Sequence, residues 1–507
     1  MSDSTPSFVR VRFAPSPTGP MHIGGLRTAL FNWLFARHYN GKFILRIEDT
    51  DQNRYSDDAE SLIYEALGWL GLDIDEGVRE GGEFGPYRQS ERLAIYHQWA
   101  RWLVEQDKAY YDYTTSEELE ALRVHQQANG IPPGYDRRHR DISDAERAKL
   151  KAEGRPEVIR FKMPLTGQSV IHDMLRDEPI IFENDQLNDL VLLKSDGYPT
   201  YHLANVIDDH LMQISHILRA NEWVPSAPVH LQLYAAFGWE MPKIAHLPVL
   251  LNPSGPGKMS KRELQDAKGN VIPVLVHRYK ELGFLPEAMF NFLANIGWTY
   301  GEDQELYTRA EAIARFDGTH INPSNSAFPA DKLRWYNGVY IREKISTADL
   351  AERLRPVLEA EGLTVDERKL QIMTPAVQTR IETLNDVIPL AAFVFRDPMA
   401  FTPATAEEHI QKGMDLAAVR KVLDVSQAFL PTLDYNDPAS MEAPMRQLAV
   451  DSGFKVGQLF GVLRHATSAQ QIAPPLFDVF AALGKEETLR RIQLSVDVVE
   501  SALQKAE

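Results

Sequence analysis

The spacing of apolar and polar side chains changes twice near the start of the chain. Residues 8–13, FVRVRF, alternate apolar and basic side chains and predict a strand. Apolar side chains then recur every three or four positions from Leu26 to Leu34, which predicts a helix. Residues 42–47, KFILRI, are apolar enough for an inner parallel strand. This order of strand, helix and strand predicts a βαβ unit, the building block of a doubly wound α/β sheet.

The later patterns interrupt this sheet, resume it and then become helical. Ser90 is predicted to cap the next helix. Residues 96–195 combine charged helices and loops with short apolar runs, and are predicted to form an inserted α+β domain. Strand signals return at residues 190–194. Beyond about residue 330 helical periods dominate, so the last third is predicted to be all-helical.

Composition and charge exclude several kinds of chemistry. The 507 residues include no cysteine, which excludes disulfides, thiolate nucleophiles and cysteine-ligated zinc. The formal net charge of -17 argues against broad attachment to nucleic acid, so such a partner would be met by local basic patches. The sequence has neither an apolar run long enough to span a bilayer nor the layout of a signal peptide, and we expect a cytoplasmic protein.

Residues 16–25, SPTGPMHIGG, lie between the first predicted strand and the first predicted helix. Glycines at the carboxyl edge of a parallel sheet let a ligand approach the backbone, and the first turn of a helix offers free N–H groups to an anion. This favours a nucleotide site that includes His22, although the common dinucleotide and P-loop patterns are absent. The alternative is that Gly24 and Gly25 only permit a turn and that His22 is an ordinary half-buried side chain.

Residues 257–262, GKMSKR, place the cations Lys258, Lys261 and Arg262 in a loop that follows glycine and proline. Cations on a flexible loop suit phosphates that gain charge as a bond breaks. A basic loop by itself is more often solvated surface. The two segments together, in this order, favour an ATP site.

The two segments resemble the HIGH and KMSKS signatures of the class I aminoacyl-tRNA synthetases. His22-Ile23-Gly24-Gly25 is similar to the first, and KMSKR at residues 258–262 is similar to the second. Nearly the whole chain resembles the bacterial glutamyl-tRNA synthetases, in RFAPSPTGPMHIGGLRTALFNW, RIEDTD, GPYRQSERLAIY, DGYPTYHLANVIDDH and LFDVFAALGKEETLRRI. The resemblance implies a ligase that makes glutamyl-adenylate and pyrophosphate from L-glutamate and ATP with Mg²⁺. It then transfers glutamate to the 3′-terminal adenosine of tRNA-Glu.

The resemblance also implies roles for the predicted domains. We expect a Rossmann-like catalytic domain at residues 1–95 and 196–253, an inserted acceptor-stem-binding domain at 96–195, a stem-contact domain with the KMSKR loop at 254–330, and a helical anticodon-binding region of two subdomains at 331–507. The implied partners are tRNA-Glu, ATP and L-glutamate. We expect a monomer with no membrane attachment.

The resemblance implies site residues one position at a time. Those implied in catalysis are His22, Lys258 and Lys261. Those implied in ATP binding are His22, Gly24, Gly25, Glu222, Leu250, Leu251, Lys258, Lys261 and Arg262. Those implied in glutamate binding are Arg12, Ser16, Glu48, Tyr201, Asn205 and Arg219. Arginine suits a carboxylate, and Glu48 suits the ammonium group. The alternative from the residues alone is that Arg12 and Glu48 form ion pairs at a sheet edge and that Tyr201 is a core aromatic.

Three other functions stay open. A glutaminyl-specific enzyme is disfavoured by the helical last third and by the paired arginines, which fit an anionic side chain better than an amide. A non-discriminating enzyme would also charge tRNA-Gln with glutamate. Arg380, in QTRIETL, matches an anticodon-binding position at which arginine favours the glutamate anticodon in some relatives, and it is equally well explained as an exposed helix arginine. A non-catalytic tRNA-binding relative is disfavoured by the intact HIGG and KMSKR segments.

One departure from the family concerns zinc. Some relatives bind zinc through Cys-x-Cys and Tyr-x-x-x-Cys in the inserted domain, and the corresponding residues here are Asp112, Thr114, Tyr135 and His139. Because such a structural site depends on thiolates, we predict that the protein carries no zinc. Metal analysis of the purified protein is expected to give no stoichiometric zinc signal, and such a signal would contradict the prediction.

Overall fold

The computed structural model describes residues 8–51, 56–252, 257, 259, 264–265, 271–299 and 304–506. The chain divides into two compact units. The first consists of Met1–Tyr279 and Met289–Ala330, and the second of Lys280–Ala288 and Asp331–Glu507.

The described strands all lie in the first unit. They are β1 (Arg10–Phe13), β2 (Lys42–Leu45), β3 (Ala109–Asp112), β4 (Val158–Phe161), β5 (Gln168–Ile171), β6 (Ile180–Glu183), β7 (Val191–Leu193), β8 (His216–Ala220), β9 (Lys243–Leu247), β10 (Leu250–Leu251), β11 (Leu264–Gln265), β12 (Val271–Ile272) and β13 (Ser326–Ala327). β1 pairs with β2, and β8 with β9, both in parallel. The Ser215 N–H, just before β8, donates to the Arg10 carbonyl of β1 at 2.9 Å. The parallel α/β pattern predicted from the sequence is therefore confirmed.

Helices connect these strands and make up the second unit. Those that begin before residue 330 are α1 (Ile23–His38), α2 (Asp57–Leu70), α3 (Leu93–Glu105), α4 (Ser116–Ala128), α5 (Asp144–Ala152), α6 (Tyr201–Leu211), α7 (Ala227–Phe237), α8 (Val276–Glu281), α9 (Pro286–Asn295) and α10 (Arg309–Arg315). Helix α1 is buried on almost every side, because apolar residues such as Leu26, Leu30 and Phe31 cover its whole circumference. No helix among the described residues combines the length and the apolar character needed to cross a membrane.

The second unit is helical, as predicted. Its helices are α11 (Ala330–Val339), α12 (Thr347–Ala360), α13 (Glu367–Gln378), α14 (Val387–Ala391), α15 (Leu416–Phe429), α16 (Pro438–Asp451), α17 (Val456–Ser468), α18 (Leu476–Leu483) and α19 (Lys485–Ala506). One apolar cluster is built around Leu354 and Met373 of α12 and α13. A second is built around Val422, Val462 and Ile492 of α15, α17 and α19. Burial of these helix faces holds the unit together.

The inserted region has an antiparallel sheet of its own. β3, β4 and β7 are adjacent in that order, and β5 pairs with β6. The helices α4 and α5 begin at polar caps, because the Thr115 and Ser143 hydroxyls accept the backbone N–H groups of Glu118 and Glu146. This is the α+β composition that the sequence predicts for residues 96–195.

Ser90 does not cap α3, which corrects one sequence prediction. It lies inside a short 3₁₀ turn, Gln89–Arg92, that precedes α3. Its hydroxyl donates to Asp49 at 2.6 Å, and its backbone N–H donates to the same carboxylate at 2.8 Å. Ser90, which the local sequence pattern predicts as a helix cap, therefore binds the carboxylate of Asp49, 41 positions away.

The four side chains at the positions of the zinc ligands come together in the inserted region. The Asp112 carboxylate accepts hydrogen bonds from the Thr114 hydroxyl at 2.6 Å and the Tyr135 hydroxyl at 2.8 Å, and Nδ1 of His139 lies 2.6 Å away. Nε of Arg160 donates to the other Asp112 oxygen at 2.5 Å. These groups bind directly to one another, so they do not fit a tetrahedral zinc ion. A hydrogen-bonded cluster around one buried carboxylate occupies the place of the metal.

Replacing this carboxylate by an amide is expected to destabilise the protein. Burial raises the pKa of Asp112, but the hydrogen bonds from Thr114, Arg160 and His139 outweigh burial and hold the pKa well below its usual range. Asp112→Asn leaves the Arg160 charge uncompensated and is expected to cost roughly 3 kcal/mol of unfolding free energy in urea at neutral pH.

The control is Asp144→Asn, whose carboxylate is 95% exposed and which should cost less than about 1 kcal/mol. A carboxylate with a lowered pKa stabilises the fold above its unfolded pKa of about 4, and this contribution is lost as the pH falls towards the folded value. The difference between wild type and Asp112→Asn should therefore shrink in acid. Equal costs for the two variants would contradict the cluster's role.

Candidate active site

A cavity of 1010 Å³ opens at the carboxyl ends of β1, β2, β8 and β9. Ala14 and Ser16 follow β1, Glu48 follows β2, Glu222 follows β8 and Pro248 follows β9 on its wall. Ligands of open α/β sheets bind at this edge. The sequence-predicted residues that line the cavity are Arg12, Ser16, His22, Gly24, Gly25, Glu48, Tyr201, Asn205, Arg219, Glu222 and Leu250.

The structure does not assign the remaining predicted residues to the cavity wall. Leu251 is not among the described residues that line the cavity. Lys258, Lys261 and Arg262 lie outside the described residues. Met259, from the same loop, lines the cavity and is buried, and its N–H donates to the carbonyl of Leu250 at 3.0 Å. The loop that carries the cations therefore touches the cavity at one described residue.

The start of α1 differs from the sequence expectation of free N–H groups. His22 is the N-cap, and its Nδ1 accepts the Gly24 N–H at 2.9 Å. The N–H of Ile23 donates to the Val274 carbonyl at 2.9 Å, and that of Gly25 donates to the His22 carbonyl at 2.9 Å. The first N–H groups of the helix therefore bond within the protein. The two glycines instead leave the cavity wall without side chains, which lets a ligand reach the backbone.

Beneath the cavity, Asp209 of α6 joins two arginines from different strands. Its carboxylate accepts hydrogen bonds from Nε of Arg12 at 3.0 Å and from Nη1 of Arg46 at 2.6 Å. The neighbouring Asp208 accepts one from Nε of Arg92 at 2.7 Å. Asp208, Asp209 and Arg46 are fully buried. Burial raises the pKa of Asp209, but Arg12 and Arg46 outweigh this effect and hold it below its ordinary value.

Glu48 and Asn205 offer oxygen atoms to a cation on the other side of this network. Nη2 of Arg46 donates to Oε1 of Glu48 at 3.0 Å, and Nδ2 of Asn205 donates to the same oxygen at 3.3 Å. Burial raises the pKa of Glu48, while Arg46 and Arg12 act in the opposite direction. Oδ1 of Asn205 is buried and has no partner among the described residues. A bound ammonium group would favour the ionised form of Glu48 and satisfy an oxygen of this kind.

Arg219 faces the cavity from the end of β8. Its Nη1 donates to the Tyr201 hydroxyl at 3.3 Å, and its Nη2 donates to the Trp223 carbonyl at 3.2 Å. The Tyr201 ring lies against the Trp223 ring, with centroids 4.5 Å apart. No described carboxylate forms an ion pair with Arg219, whereas Arg12 is paired with Asp209. Burial lowers the pKa of Arg219. Arg219 is therefore a cavity arginine whose charge a bound anion can balance.

Two parts of the chain match family descriptions. Residues 8–335 match tRNA synthetases class I (E and Q), catalytic domain, and residues 349–496 match the anticodon binding domain. The chain belongs to the class I tRNA synthetases of the E and Q group. The second unit contains the region matched to anticodon binding.

Individual relatives are similar over almost their full length. The chain is 45% identical to the glutamate–tRNA ligase of Dehalococcoides mccartyi, over 96% of this chain and 98% of that protein. It is 44% identical to the glutamate–tRNA ligase of a Roseiflexus species, over 96% of each chain. A crystal structure of a glutamate tRNA ligase from Elizabethkingia meningosepticum, in complex with its amino acid, has a TM-score of 0.84 and 35% identity, over 97% of this chain and 99% of that one.

The carboxylates beneath the cavity of this class I synthetase were not identified from the sequence. Asp208 and Asp209 lie within the resembling segment DGYPTYHLANVIDDH, and Arg46 starts RIEDTD. A signal for the two aspartates was available in the sequence, because they directly follow the mostly apolar residues 203–207. Two carboxylates on the buried part of a helix require cationic partners.

Arg27 is a further cavity residue that the sequence did not single out. Its Nε donates to the Ile296 carbonyl and its Nη1 to the Pro248 carbonyl, each at 2.7 Å. It is buried, and burial lowers its pKa to about 9. Pro248 and Leu250 both line the cavity, so Arg27 fixes the first helix of the synthetase against this part of the cavity wall.

Arg380 lies in the turn after α13. The alternative explanation had assumed that it lies on a helix. Its side chain is exposed, and Nη1 donates to the Ala473 carbonyl at 3.4 Å. Burial raises the pKa of Asp478, and Arg380 acts in the opposite direction. An exposed cation at a helix end is accessible to a nucleic acid.

Removing the charge of Asp209 is expected to destabilise the synthetase. Asp209→Asn leaves Arg12 and Arg46 buried without their shared counterion, and should cost about 3 to 5 kcal/mol of unfolding free energy measured with urea. Glu442→Gln is the control, because Glu442 and Arg446 form an exposed pair with side chains 51% and 55% accessible. It should change stability by less than about 1 kcal/mol. Similar values for both variants would show that the buried network contributes little.

Proposed function

We propose that the chain is a glutamate–tRNA ligase that uses ATP to attach L-glutamate to tRNA-Glu. One observation carries the proposal. The chain is 45% identical to the Dehalococcoides mccartyi ligase over 96% of its length, and all six residues implied for glutamate line one cavity with five of those implied for ATP. Arg219 suits an anionic group of the amino acid, and Glu48 suits its ammonium group.

The proposed reaction has two steps. A carboxylate oxygen of glutamate attacks the α-phosphorus of ATP, and the bond from this phosphorus to the bridging oxygen breaks, giving glutamyl-adenylate and pyrophosphate. A ribose hydroxyl of the 3′-terminal adenosine of tRNA then attacks the acyl carbon, loses its proton, and AMP leaves with the bond electrons. Neither step needs a nucleophile from the protein, which agrees with a chain without cysteine. Positioning and charge stabilisation account for the catalysis.

We propose the following roles for the residues of the cavity. His22, Gly24 and Gly25 hold the nucleotide against the start of α1, and Glu222, Leu250 and Leu251 hold it from the opposite side. Lys258, Lys261 and Arg262 stabilise the triphosphate and the leaving pyrophosphate. ATP would enter as its magnesium complex, in which the ion would offset negative charge on the phosphates. Arg12, Ser16, Glu48, Tyr201, Asn205 and Arg219 bind the amino acid.

We propose that tRNA-Glu contacts the inserted domain, the stem-contact domain and the helical region at the boundaries expected from the sequence. Residues 349–496, which match the anticodon binding domain, support the last contact. The enzyme is proposed to act as a monomer in the cytoplasm, where tRNA is charged.

The decisive experiment is aminoacylation. Purified protein with ATP, Mg²⁺ and radiolabelled glutamate is expected to charge tRNA-Glu, while radiolabelled glutamine gives no product. The control omits ATP and should abolish charging. If the protein charges neither tRNA-Glu nor tRNA-Gln with glutamate, the proposed function is overturned. Pyrophosphate exchange with and without tRNA then tests whether activation alone depends on bound tRNA.

Charging of tRNA-Gln tests the role of Arg380. If Arg380 selects the glutamate anticodon, Arg380→Gln should reduce the kcat/KM preference for tRNA-Glu over tRNA-Gln by about tenfold, which corresponds to about 1.4 kcal/mol. Arg446→Gln, an exposed change in the same unit, is the control and should leave the preference unchanged. An unchanged preference in Arg380→Gln would show that this arginine does not read the anticodon.

A further inference from the structure

Neutral side chains, rather than carboxylates, surround the guanidinium of Arg219. Its Nε donates to Nε2 of His246 at 3.1 Å, and its Nη1 lies 3.2 Å from Nδ1 of His230. Further hydrogen bonds reach the Tyr201 hydroxyl and the Trp223 carbonyl. Guanidinium has five N–H groups, and these contacts use four of them. The fifth, on Nη2, has no partner among the described residues, and Arg219 lines the cavity.

The hydrogen bonds determine the proton positions on the histidines. Arg219 only donates, so Nε2 of His246 and Nδ1 of His230 carry no proton. The other nitrogen of His246, Nδ1, therefore donates to the Asp173 carboxylate at 2.6 Å. The other nitrogen of His230, Nε2, donates to Nδ1 of His202 at 3.2 Å. All of these hydrogen bonds can form while His202, His230 and His246 are neutral.

The fold brings these residues together from separate elements. Arg219 of β8 and His246 of β9 are direct partners in the parallel register, so their side chains leave the same face of the sheet. His230 comes from α7 and His202 from α6. Asp173 follows β5 and pairs with Ile244 of β9. His230, His246, Asp173 and Arg219 are all buried.

Burial supports the neutral state of the histidines. It lowers the pKa of His202 to about 4 and that of His230 well below the ordinary value, and nearby Arg219 lowers both further. Burial also lowers the pKa of His246, although Asp173 acts in the opposite direction. At neutral pH the imidazoles therefore accept hydrogen bonds from Arg219 without adding a charge of either sign.

We propose that the neutral side chains of His230, His202 and His246, with the Asp173 carboxylate one hydrogen bond further away, form a cradle that orients Arg219 without giving it a direct counterion, and that the charge of Arg219 selects glutamate over glutamine. The inference rests on the proposed function, because it needs Arg219 to face the amino acid. A carboxylate of the substrate supplies a counterion for Arg219, which has no carboxylate partner among the described residues. The amide of glutamine carries no charge and cannot do so. The four residues are positioning residues that act through Arg219.

A matched pair of variants at His230 tests the proposal. His230→Asn keeps a neutral oxygen near the position of Nδ1, and His230→Asp places a carboxylate there that pairs with Arg219. The measurements are KM for glutamate and for ATP in aminoacylation, and the inhibition constant of glutamine. We expect His230→Asp to lower the ratio of the glutamine inhibition constant to the glutamate KM about tenfold or more, which corresponds to about 1.4 kcal/mol. His230→Asn should keep the wild-type ratio within about threefold.

A merely structural role of His230 predicts a different result. It would weaken glutamate and glutamine alike, so the ratio would stay the same in both variants, and that outcome overturns the proposal. The KM for ATP should stay within about twofold of wild type in both variants. Wild-type charging of tRNA-Glu tests the proposed function separately: if it is absent, the proposed function fails. If it is present and the ratio does not move, only the cradle fails.

A second pair of variants covers the case in which His230→Asp does not fold. His246→Gln retains an acceptor for Nε of Arg219, and His246→Leu removes it. We expect His246→Leu to raise the KM for glutamate about tenfold with little change in the KM for ATP, and His246→Gln to restore most of the loss. Equal effects of the two variants, or equal changes in both KM values, would overturn the proposal.

Discussion

The shared carboxylate of Asp209 is the interaction on which the catalytic site depends. It binds Arg12 at the end of the first strand and Arg46 just beyond the second, and it is itself carried by α6. Buried charges are costly unless each is paired and hydrogen-bonded, so this arrangement tolerates little displacement. Two parallel strands and one helix are thereby fixed relative to one another at the edge where the cavity opens.

This network also determines how charge is distributed over the site. Arg12, Arg46 and Arg92 each have a carboxylate partner, while Arg219 has neutral ones. A buried arginine without a counterion is an unfavourable state that a bound anion relieves. In the proposed function, an acidic amino acid relieves this state when it binds. In the proposed function, the paired arginines hold the geometry and the charge of Arg219 supplies the preference.

The inserted region also contains a buried carboxylate that binds several polar side chains. At the positions where the resemblance implies the zinc ligands of some relatives, one buried carboxylate accepts hydrogen bonds from two hydroxyl groups and contacts an imidazole and a guanidinium. A metal site holds its ligands through short bonds of fixed geometry, whereas a hydrogen-bonded cluster requires that water be excluded and every donor be satisfied. The burial of Asp112 meets the first requirement, and the four partners of its two oxygens meet the second.

The sequence by itself determined the features that depend on neighbouring residues. The alternation of FVRVRF, the helical spacing after HIGG and the loss of strand patterns in the last third report local geometry, and they predicted β1, α1 and the helical second unit. The family could also be identified from the sequence, because its motifs are continuous segments of the chain. Eleven of the site residues that the resemblance implied line one cavity because the carboxyl ends of parallel strands share one edge.

Only the tertiary structure decided which distant groups meet. Arg12 and Asp209 are 197 positions apart, and nothing in either segment indicates that one neutralises the other. The neutral partners of Arg219 come from the register of two strands and from two separate helices. Ser90 binds Asp49 instead of capping a helix. The first N–H groups of α1 form hydrogen bonds within the protein and are not free to bind an anion. Buried polar groups take the best partner available in space, and the path of the whole chain determines which partner that is.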